Sequence, residues 1–320
     1  MHTLRTLSVF RRRLAPAPAL SAVLALFLAA GAVFAEGAQE APESVFPEIL
    51  VDSEWVAKNL GAEDLVILDT GRSQEDYEAG HLPGAVFFPQ SSYYGEANGL
   101  TGMFPGVEPV VEALEEAGVS NSSQILIYDP GHGLWATRLF WTLELLGHKN
   151  LAVINGGIGK WTSQGRSLST DTVELARGDF EAEFQPELVI TGAQLSEQLE
   201  NTTVVDTRSY GEYTGEDARA DRGGHIPDAV HLEWVLNNTG EEVNTFLPVQ
   251  ELKEFYEAEI GADKDQKVVT HCQTGVRGAH TYFVLRLLGY DAALYDGSWV
   301  EWGNDPDLPV VNESESDDDA

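Results

Sequence analysis

The residues with the clearest chemical potential lie between Cys272 and Arg277, in the segment Cys-Gln-Thr-Gly-Val-Arg. Cys272 is the only cysteine of the chain, so no intramolecular disulfide can form, and its thiolate is a nucleophile. Gly275 permits a tight turn of the backbone. Arg277 supplies a permanent cation whose planar guanidinium can hold an oxyanion through two hydrogen bonds. This spacing predicts covalent chemistry at sulfur beside an anionic group.

The surrounding pattern indicates how this segment is positioned. Residues 267–271 form a short apolar run typical of a buried strand, and residues 276–288 have a helical pattern. Open α/β sheets bind ligands at the carboxyl ends of their strands, and a helix N-terminus lowers the pKa of a nearby thiol. We therefore expect the intervening residues to form a substrate-binding cradle around the sulfur of Cys272. These residues are Gln273, Thr274, Gly275 and Val276.

The chain contains one pattern twice, at a spacing of roughly 140 residues, which indicates duplicated domains. The segment Gly-His-Leu-Pro at residues 80–83 recurs as Gly-His-Ile-Pro at 224–227, and each follows an apolar run that ends in Asp69 or Asp206. Short apolar strands alternate with amphipathic helices in both copies. The pattern predicts an α/β protein with two tandem domains, each a parallel sheet flanked by helices.

The ends of the chain differ from this repeated region. Arginines at positions 5 and 11–13, an apolar run over residues 19–34 and a small residue at Ala35 are typical of an export signal. An uncleaved membrane anchor is the alternative, although the run is short for a full span. The expected segments are a signal peptide at 1–35, domains at 47–170 and 187–310, a linker at 171–186 and an acidic disordered tail at 311–320. We expect an exported protein, periplasmic or extracellular, with no stable membrane association after cleavage.

Composition excludes several classes of partner. The formal net charge is −33, with only 19 Lys and Arg among 320 residues, and such a surface repels nucleic acid and anionic membranes. An anionic substrate therefore requires a local basic pocket. A chain with one cysteine cannot build a cysteine-rich metal site. About 43% of the residues are hydrophobic, so the chain can bury a substantial core.

These residues resemble the rhodanese family, and most closely its bacterial two-domain thiosulfate sulfurtransferases. The six-residue active loop of that family begins with Cys and ends with Arg or Thr, as Cys272 to Arg277 do, and residues 224–227 and 295–303 resemble its other signatures. The resemblance covers residues 47–309. It implies a persulfide on Cys272, thiosulfate as the sulfur donor, and cyanide, a small thiol or a protein cysteine as the acceptor. It implies no metal or organic cofactor.

The resemblance also implies that only the second domain is active. The position of Cys272 falls on Asp129 in the first copy, in a loop one residue longer, and aspartate cannot carry sulfane sulfur. Two positions depart from the family pattern. Glu212 precedes Tyr213 where vertebrate-type enzymes have an arginine, and Asp228 replaces a usual glycine.

Three other functions use similar residues. Relatives specific for 3-mercaptopyruvate usually have a loop that begins Cys-Gly, whereas this loop begins Cys-Gln-Thr. A non-enzymatic sulfur or redox carrier would use the same loop. A cysteine-based phosphatase needs five residues between Cys and Arg to surround a tetrahedral phosphate, and here there are four.

Several other polar residues have both a structural and a catalytic interpretation. His81 and His225 recur in both copies, which favours structural hydrogen bonding. His271 is a candidate general base because it precedes Cys272, although the cradle itself can ionise the thiol. Asp206 and Arg208 have the spacing of a buried ion pair. Three tryptophans are candidates for lining a cleft or packing in the core: Trp234, Trp299 and Trp302.

Overall fold

The computed structural model describes residues 46–314. In the first half, five parallel strands form a sheet in the order β1-β7-β6-β2-β3, and β4 pairs with β5 as a separate antiparallel hairpin. The strands are β1 Leu50–Val51, β2 Leu65–Asp69, β3 Ala85–Phe87, β4 Gly95–Ala97, β5 Leu100–Met103, β6 Gln124–Tyr128 and β7 Leu151–Ile154. The helices are α1 Ser53–Asn59, α2 Gln74–Ala79, α3 Val107–Glu116, α4 Leu134–Leu145 and α5 Gly157–Ser163.

The second half repeats this topology. Its strands pair in the order β8-β12-β11-β9-β10 and are all parallel, so each strand has the position of its counterpart in the first sheet. The strands are β8 Val189–Ile190, β9 Thr203–Asp206, β10 Val230–His231, β11 Val268–His271 and β12 Ala292–Tyr295. The helices are α6 Gly192–Gln198, α7 Tyr210–Thr214, α8 Val249–Glu259, α9 Val276–Leu287 and α10 Ser298–Trp302. The predicted fold class, two tandem α/β domains with flanked parallel sheets, is confirmed.

Each sheet is covered on both faces because successive strand residues point to opposite sides. In β2, Val66 and Leu68 pack on the side of α3 and α4, whereas Ile67 packs on the side of α1 and α5. The faces that carry α4 and α9 meet in one continuous core across the two domains. Phe140 of α4 contacts Phe283 of α9 edge to face, with ring centroids 4.9 Å apart. This packing brings the N-termini of both helices to the interdomain interface.

The segment between the domains, residues 171–186, runs along the first domain. Phe180 is buried in the core, the Gly178 amide donates to the Glu115 carbonyl, and the Glu183 amide donates to the Leu146 carbonyl. A linker was predicted over these residues, and in the structure this segment packs against the first domain.

The second domain extends past residue 310, into the segment that was predicted to be a disordered tail. Val311 and His225 exchange both backbone hydrogen bonds, at 2.8 and 3.0 Å, so residues 311–314 continue the ordered domain. The expectation of a disordered tail from residue 311 is wrong for these four residues, because a polar composition does not reveal such pairing. The rest of the tail and the predicted signal peptide lie outside the described residues. Among residues 46–314, no helix is long and apolar enough to cross a membrane.

Candidate active site

Cys272 directly follows β11, at the carboxyl end of the central strand of the second sheet. Its side chain is buried, with 1% of the residue exposed. The Cys272 amide donates to the Ser298 hydroxyl at 3.2 Å, and its carbonyl accepts from the Trp299 amide at 2.9 Å. The start of α10 therefore holds the backbone of the candidate nucleophile. The sequence marked Ser298 only as part of the segment 295–303, because its spacing from Cys272 follows no local pattern that would predict the contact.

Gly275 ends the loop and caps α9 in a left-handed conformation, with φ of +81°. A β-carbon at this position would lie 2.5 Å from a guanidinium nitrogen of Arg138 and 2.8 Å from the Asp296 carboxylate. Both the positive φ and this close approach require glycine. The predicted tight turn at Gly275 is therefore present.

The first domain contacts the loop directly through two side chains. Arg138, on α4, is fully buried and donates to the Asp296 carboxylate at 2.5 Å. The Tyr94 hydroxyl donates to the Thr274 hydroxyl at 3.0 Å. The other Asp296 oxygen accepts from the Phe104 amide at 2.7 Å, so the active loop rests on residues of both domains.

Arg277 lies in the first turn of α9, and its guanidinium is already hydrogen-bonded to another side chain. Both of its terminal nitrogens donate to the Glu212 carboxylate, at 2.6 and 2.8 Å. Burial lowers the pKa of Arg277, but the hydrogen bond with Glu212 and the charge of Cys272 outweigh it, and the net direction is upward. Arg277 is thus a fixed cation beside Cys272, as predicted, but not the free anion anchor that the sequence suggested. The sequence marked Glu212 only as a departure from a family pattern.

The remaining predicted loop residues lie together with Cys272. The Gln273 side-chain amide donates to the Arg219 carbonyl at 2.9 Å, and the backbone carbonyl of Gln273 accepts from the Val300 amide at 3.0 Å. Val276 is the first residue of α9. Residues 272–275 therefore form the turn between β11 and α9, and Val276 and Arg277 begin the helix. The substrate-binding role of these residues stays a prediction.

The first copy shows what such a loop can bind. The Asp129 carboxylate accepts hydrogen bonds from the amides of Gly131, Gly133 and Trp135 at 2.9–3.1 Å, with the Ala136 amide at 3.5 Å. Burial raises the pKa of Asp129, and these donors oppose that effect. The net direction of the Asp129 pKa is upward, and the loop encloses this carboxyl group as a hydrogen-bond acceptor supplied by the chain itself.

The two loops correspond residue by residue at the start of their helices. Gly133 caps α4 with φ of +80°, as Gly275 caps α9 with φ of +81°. This places Arg277 in the position of Trp135, whose amide binds the Asp129 carboxylate. Cys272 therefore occupies the loop position at which Asp129 stands in the first copy.

His271 is buried and uncharged. Burial lowers its pKa to about 4, although Asp206 acts in the opposite direction. Its ring nitrogens face the Cys272 carbonyl, at 3.3 Å, and the Asp206 carboxylate, at 3.6 Å. These contacts favour a structural role over general-base catalysis.

The predicted buried ion pair is present: Arg208 donates to Asp206 at 2.5 Å, and both side chains are inaccessible.

The other candidates also have structural contacts. His81 and His225 stack on Tyr77 and Tyr213, and their Nδ1 atoms lie 2.9 Å from the carbonyls of those tyrosines. The tryptophans differ from one another: Trp299 and Trp302 lie in the core, whereas Trp234 is half-buried beside His280. Among residues 46–314, no group of His, Cys, Asp and Glu side chains could hold a metal ion.

Comparisons with known proteins agree with this architecture. The Rhodanese-like domain matches the chain twice, at residues 52–164 and 191–305. The thiosulfate sulfurtransferase of Pseudomonas aeruginosa is 32% identical over 83% of this chain and 99% of its own length. The sulfur carrier protein TtuD of Thermus thermophilus is 32% identical over 84% of this chain and 98% of its own length.

A solved structure extends the similarity to the fold. SseA from Escherichia coli, a 3-mercaptopyruvate sulfotransferase with the rhodanese fold, aligns with a TM-score of 0.68 at 26% identity. The alignment covers 79% of this chain and 100% of SseA. The chain therefore belongs to the rhodanese family of sulfurtransferases, with two rhodanese-like domains in tandem.

Proposed function

We propose that the protein transfers sulfane sulfur from thiosulfate to a thiophilic acceptor through a persulfide on Cys272. One observation carries the proposal: Cys272 has the loop position at which the first domain encloses the Asp129 carboxylate in backbone amides. Such a cradle favours a thiolate and a persulfide anion over their protonated forms. The thiosulfate sulfurtransferase of Pseudomonas aeruginosa supports the choice of donor.

The reaction is a double displacement. The Cys272 thiolate attacks the outer sulfur of thiosulfate, the bond between the donor sulfurs breaks, and sulfite leaves with the electron pair. Cyanide, a small thiol or a protein cysteine then attacks the outer sulfur of the persulfide and releases the Cys272 thiolate. Covalent catalysis of this kind divides one transfer into two easier steps and gives ping-pong kinetics. Both steps balance without a metal or an organic cofactor.

Steady-state turnover tests the proposed reaction. We expect thiocyanate to form from thiosulfate and cyanide, with parallel double-reciprocal plots at different acceptor concentrations. The same preparation should show little activity with 3-mercaptopyruvate and no hydrolysis of an aryl phosphate. Phosphate release that disappears in Cys272→Ser would instead establish phosphatase chemistry.

A carrier function is the second candidate, because TtuD is named a sulfur carrier protein. A carrier would accept one sulfur per chain and release it only to a partner protein. Multiple turnovers with cyanide would favour the enzyme, whereas a single stoichiometric transfer would favour the carrier.

We also propose that the protein is exported, from the sequence pattern of residues 1–35. Cleavage after Ala35 would give a mature protein that begins at Glu36. N-terminal sequencing of the protein from its native host tests this, and an intact Met1 in the exported fraction would indicate an uncleaved anchor.

A further inference from the structure

The carboxylate of Glu212 is placed where an anionic donor would meet Arg277. Glu212 binds both arms of Arg277, at 2.6 and 2.8 Å, and its side chain is 3% exposed against 19% for Arg277. The same carboxylate accepts from the Ser209 amide and hydroxyl, at 3.1 and 3.0 Å. Arg219, which is 53% exposed, approaches it at 3.3 Å. Glu212 is thus held from three sides.

This pairing cancels the charge of Arg277. Burial raises the pKa of Glu212, but its hydrogen bonds with Arg277 and Ser209 outweigh that effect and lower it to about 2, so the carboxylate stays ionised at neutral pH. A dianion such as thiosulfate must displace Glu212 from the fork or bind beside a negative charge. Both alternatives weaken binding, and the net charge of −33 on the whole chain acts in the same direction.

We infer that Glu212 is a specificity-determining residue that competes with the oxyanion end of the donor for Arg277. It thereby shifts the preference of the site from doubly charged thiosulfate toward singly charged persulfides of low-molecular-weight thiols. This inference rests on the proposed function.

Sulfur transfer from such a persulfide is balanced. The Cys272 thiolate attacks the outer sulfur of the donor, and the donor S–S bond breaks. Its electron pair leaves on the donor thiolate while a new S–S bond forms at Cys272. No additional oxidant or reductant takes part, and the product is the same persulfide that thiosulfate would give.

Glu212→Gln is the direct test, because glutamine can keep the contacts with Ser209. The carbonyl oxygen of glutamine can take the place of Oε2, which accepts from Ser209 and from one terminal nitrogen of Arg277. The amide group then takes the place of Oε1 and releases the other terminal nitrogen. We expect the KM for thiosulfate to fall by about tenfold with little change in kcat. The KM for the persulfide of 2-mercaptoethanol should change by less than about twofold.

Two matched variants separate charge from position. Glu216→Gln removes the same charge from an exposed side chain just after α7, the helix that carries Glu212, and should leave the KM for thiosulfate unchanged. Glu212→Asp keeps the charge but is one methylene too short to hold both arms of Arg277, so its KM should lie between those of wild type and Glu212→Gln. Thermal unfolding identifies the folded variants, and Glu212→Asp decides the question if the glutamine variant is unfolded.

Introducing Glu212→Gln into a protein that lacks Arg277 distinguishes competition for the guanidinium from a structural effect of the substitution. An Arg277→Gln protein has no guanidinium for which Glu212 and the donor could compete. Adding Glu212→Gln to this protein should therefore leave its KM for thiosulfate unchanged. Equal reductions for both donors, or a thiosulfate KM that rises or stays unchanged in Glu212→Gln, would overturn the inference. If thiosulfate fails to load sulfur onto wild-type Cys272 at all, the proposed function fails instead, and intact mass reports that outcome separately.

Discussion

At the scale of single residues, equivalent loops of the two domains carry different side chains at the same position. In the first domain this side chain is that of Asp129, fixed by backbone amides. In the second domain the equivalent residue is Cys272, which we propose carries the transferred sulfur as a persulfide. The first domain therefore has no thiol at this position, and its backbone amides donate to the aspartate instead.

Replacing Asp129 tests that interpretation through stability. Asp129→Asn substitutes an amide for one oxygen, so its hydrogens would face backbone donors that need an acceptor. We expect the free energy of unfolding to fall by about 1–3 kcal/mol, measured by urea denaturation, while transferase activity at equal folded fraction stays near wild type. A hundredfold loss of activity in the folded variant would require a catalytic role for Asp129.

At the scale of secondary-structure elements, the first domain supports the loop that carries Cys272. The pair between Arg138 on α4 and Asp296 after β12 lies directly behind Gly275. The Arg138 guanidinium also packs over the Trp141 ring, 4.6 Å from its centroid. A helix of one domain thus fixes the position at which α9 of the other begins, and Arg138 acts as a positioning residue.

Arg138→Met should be strongly destabilising because it leaves the Asp296 carboxylate buried without its partner. The expected cost is about 3–5 kcal/mol in the free energy of unfolding, together with slower sulfur loading of Cys272. Arg177→Met is the control, since Arg177 forms an exposed pair with Glu115 and should cost less than about 1 kcal/mol.

A second substitution shows whether the lost charge pair is the cause. Asp296→Asn removes the unpaired charge and can still accept from the Phe104 amide. We expect the double variant to recover part of the stability lost in Arg138→Met. If the two single-variant losses simply add, the residues are not coupled and Arg138 does not act through Asp296.

At the scale of the whole molecule, buried histidines whose pKa is lowered by burial make stability depend on pH: His148, His271 and His280. Burial lowers the pKa of His271 to about 4 and that of His280 to about 3. The unfolded chain binds protons at these side chains near pH 6.5, whereas the folded protein does not until its lower pKa is reached. Acidification below about pH 6.5 therefore favours the unfolded state.

Urea denaturation at several pH values measures this effect. We expect the free energy of unfolding to decrease from pH 7 to pH 4, with a further loss below about pH 4.5 as the depressed carboxyl of Glu212 begins to contribute. His280→Gln removes one of the titrating groups, so the slope between pH 6.5 and pH 4 should become shallower. An unchanged slope in that variant would exclude His280 as a contributor.

The sequence predicts the repeated fold because each copy carries its own periodicity and its own strand-ending aspartate, Asp69 or Asp206. The same local pattern places Cys272 between a strand and a helix. The partners of the loop leave no such pattern. Glu212 is 65 residues from Arg277, and Arg138 is 158 residues from Asp296. These contacts depend on how whole elements pack, and only the three-dimensional structure brings their residues together.

The central claim is that Cys272 carries the transferred sulfur, and intact mass spectrometry of the protein after treatment with thiosulfate tests it most directly. We predict a gain of about 32 Da, one sulfur atom, which cyanide removes and which Cys272→Ser does not show. No gain of mass in the folded wild-type protein, or the same cyanide-sensitive adduct in Cys272→Ser, would contradict the claim.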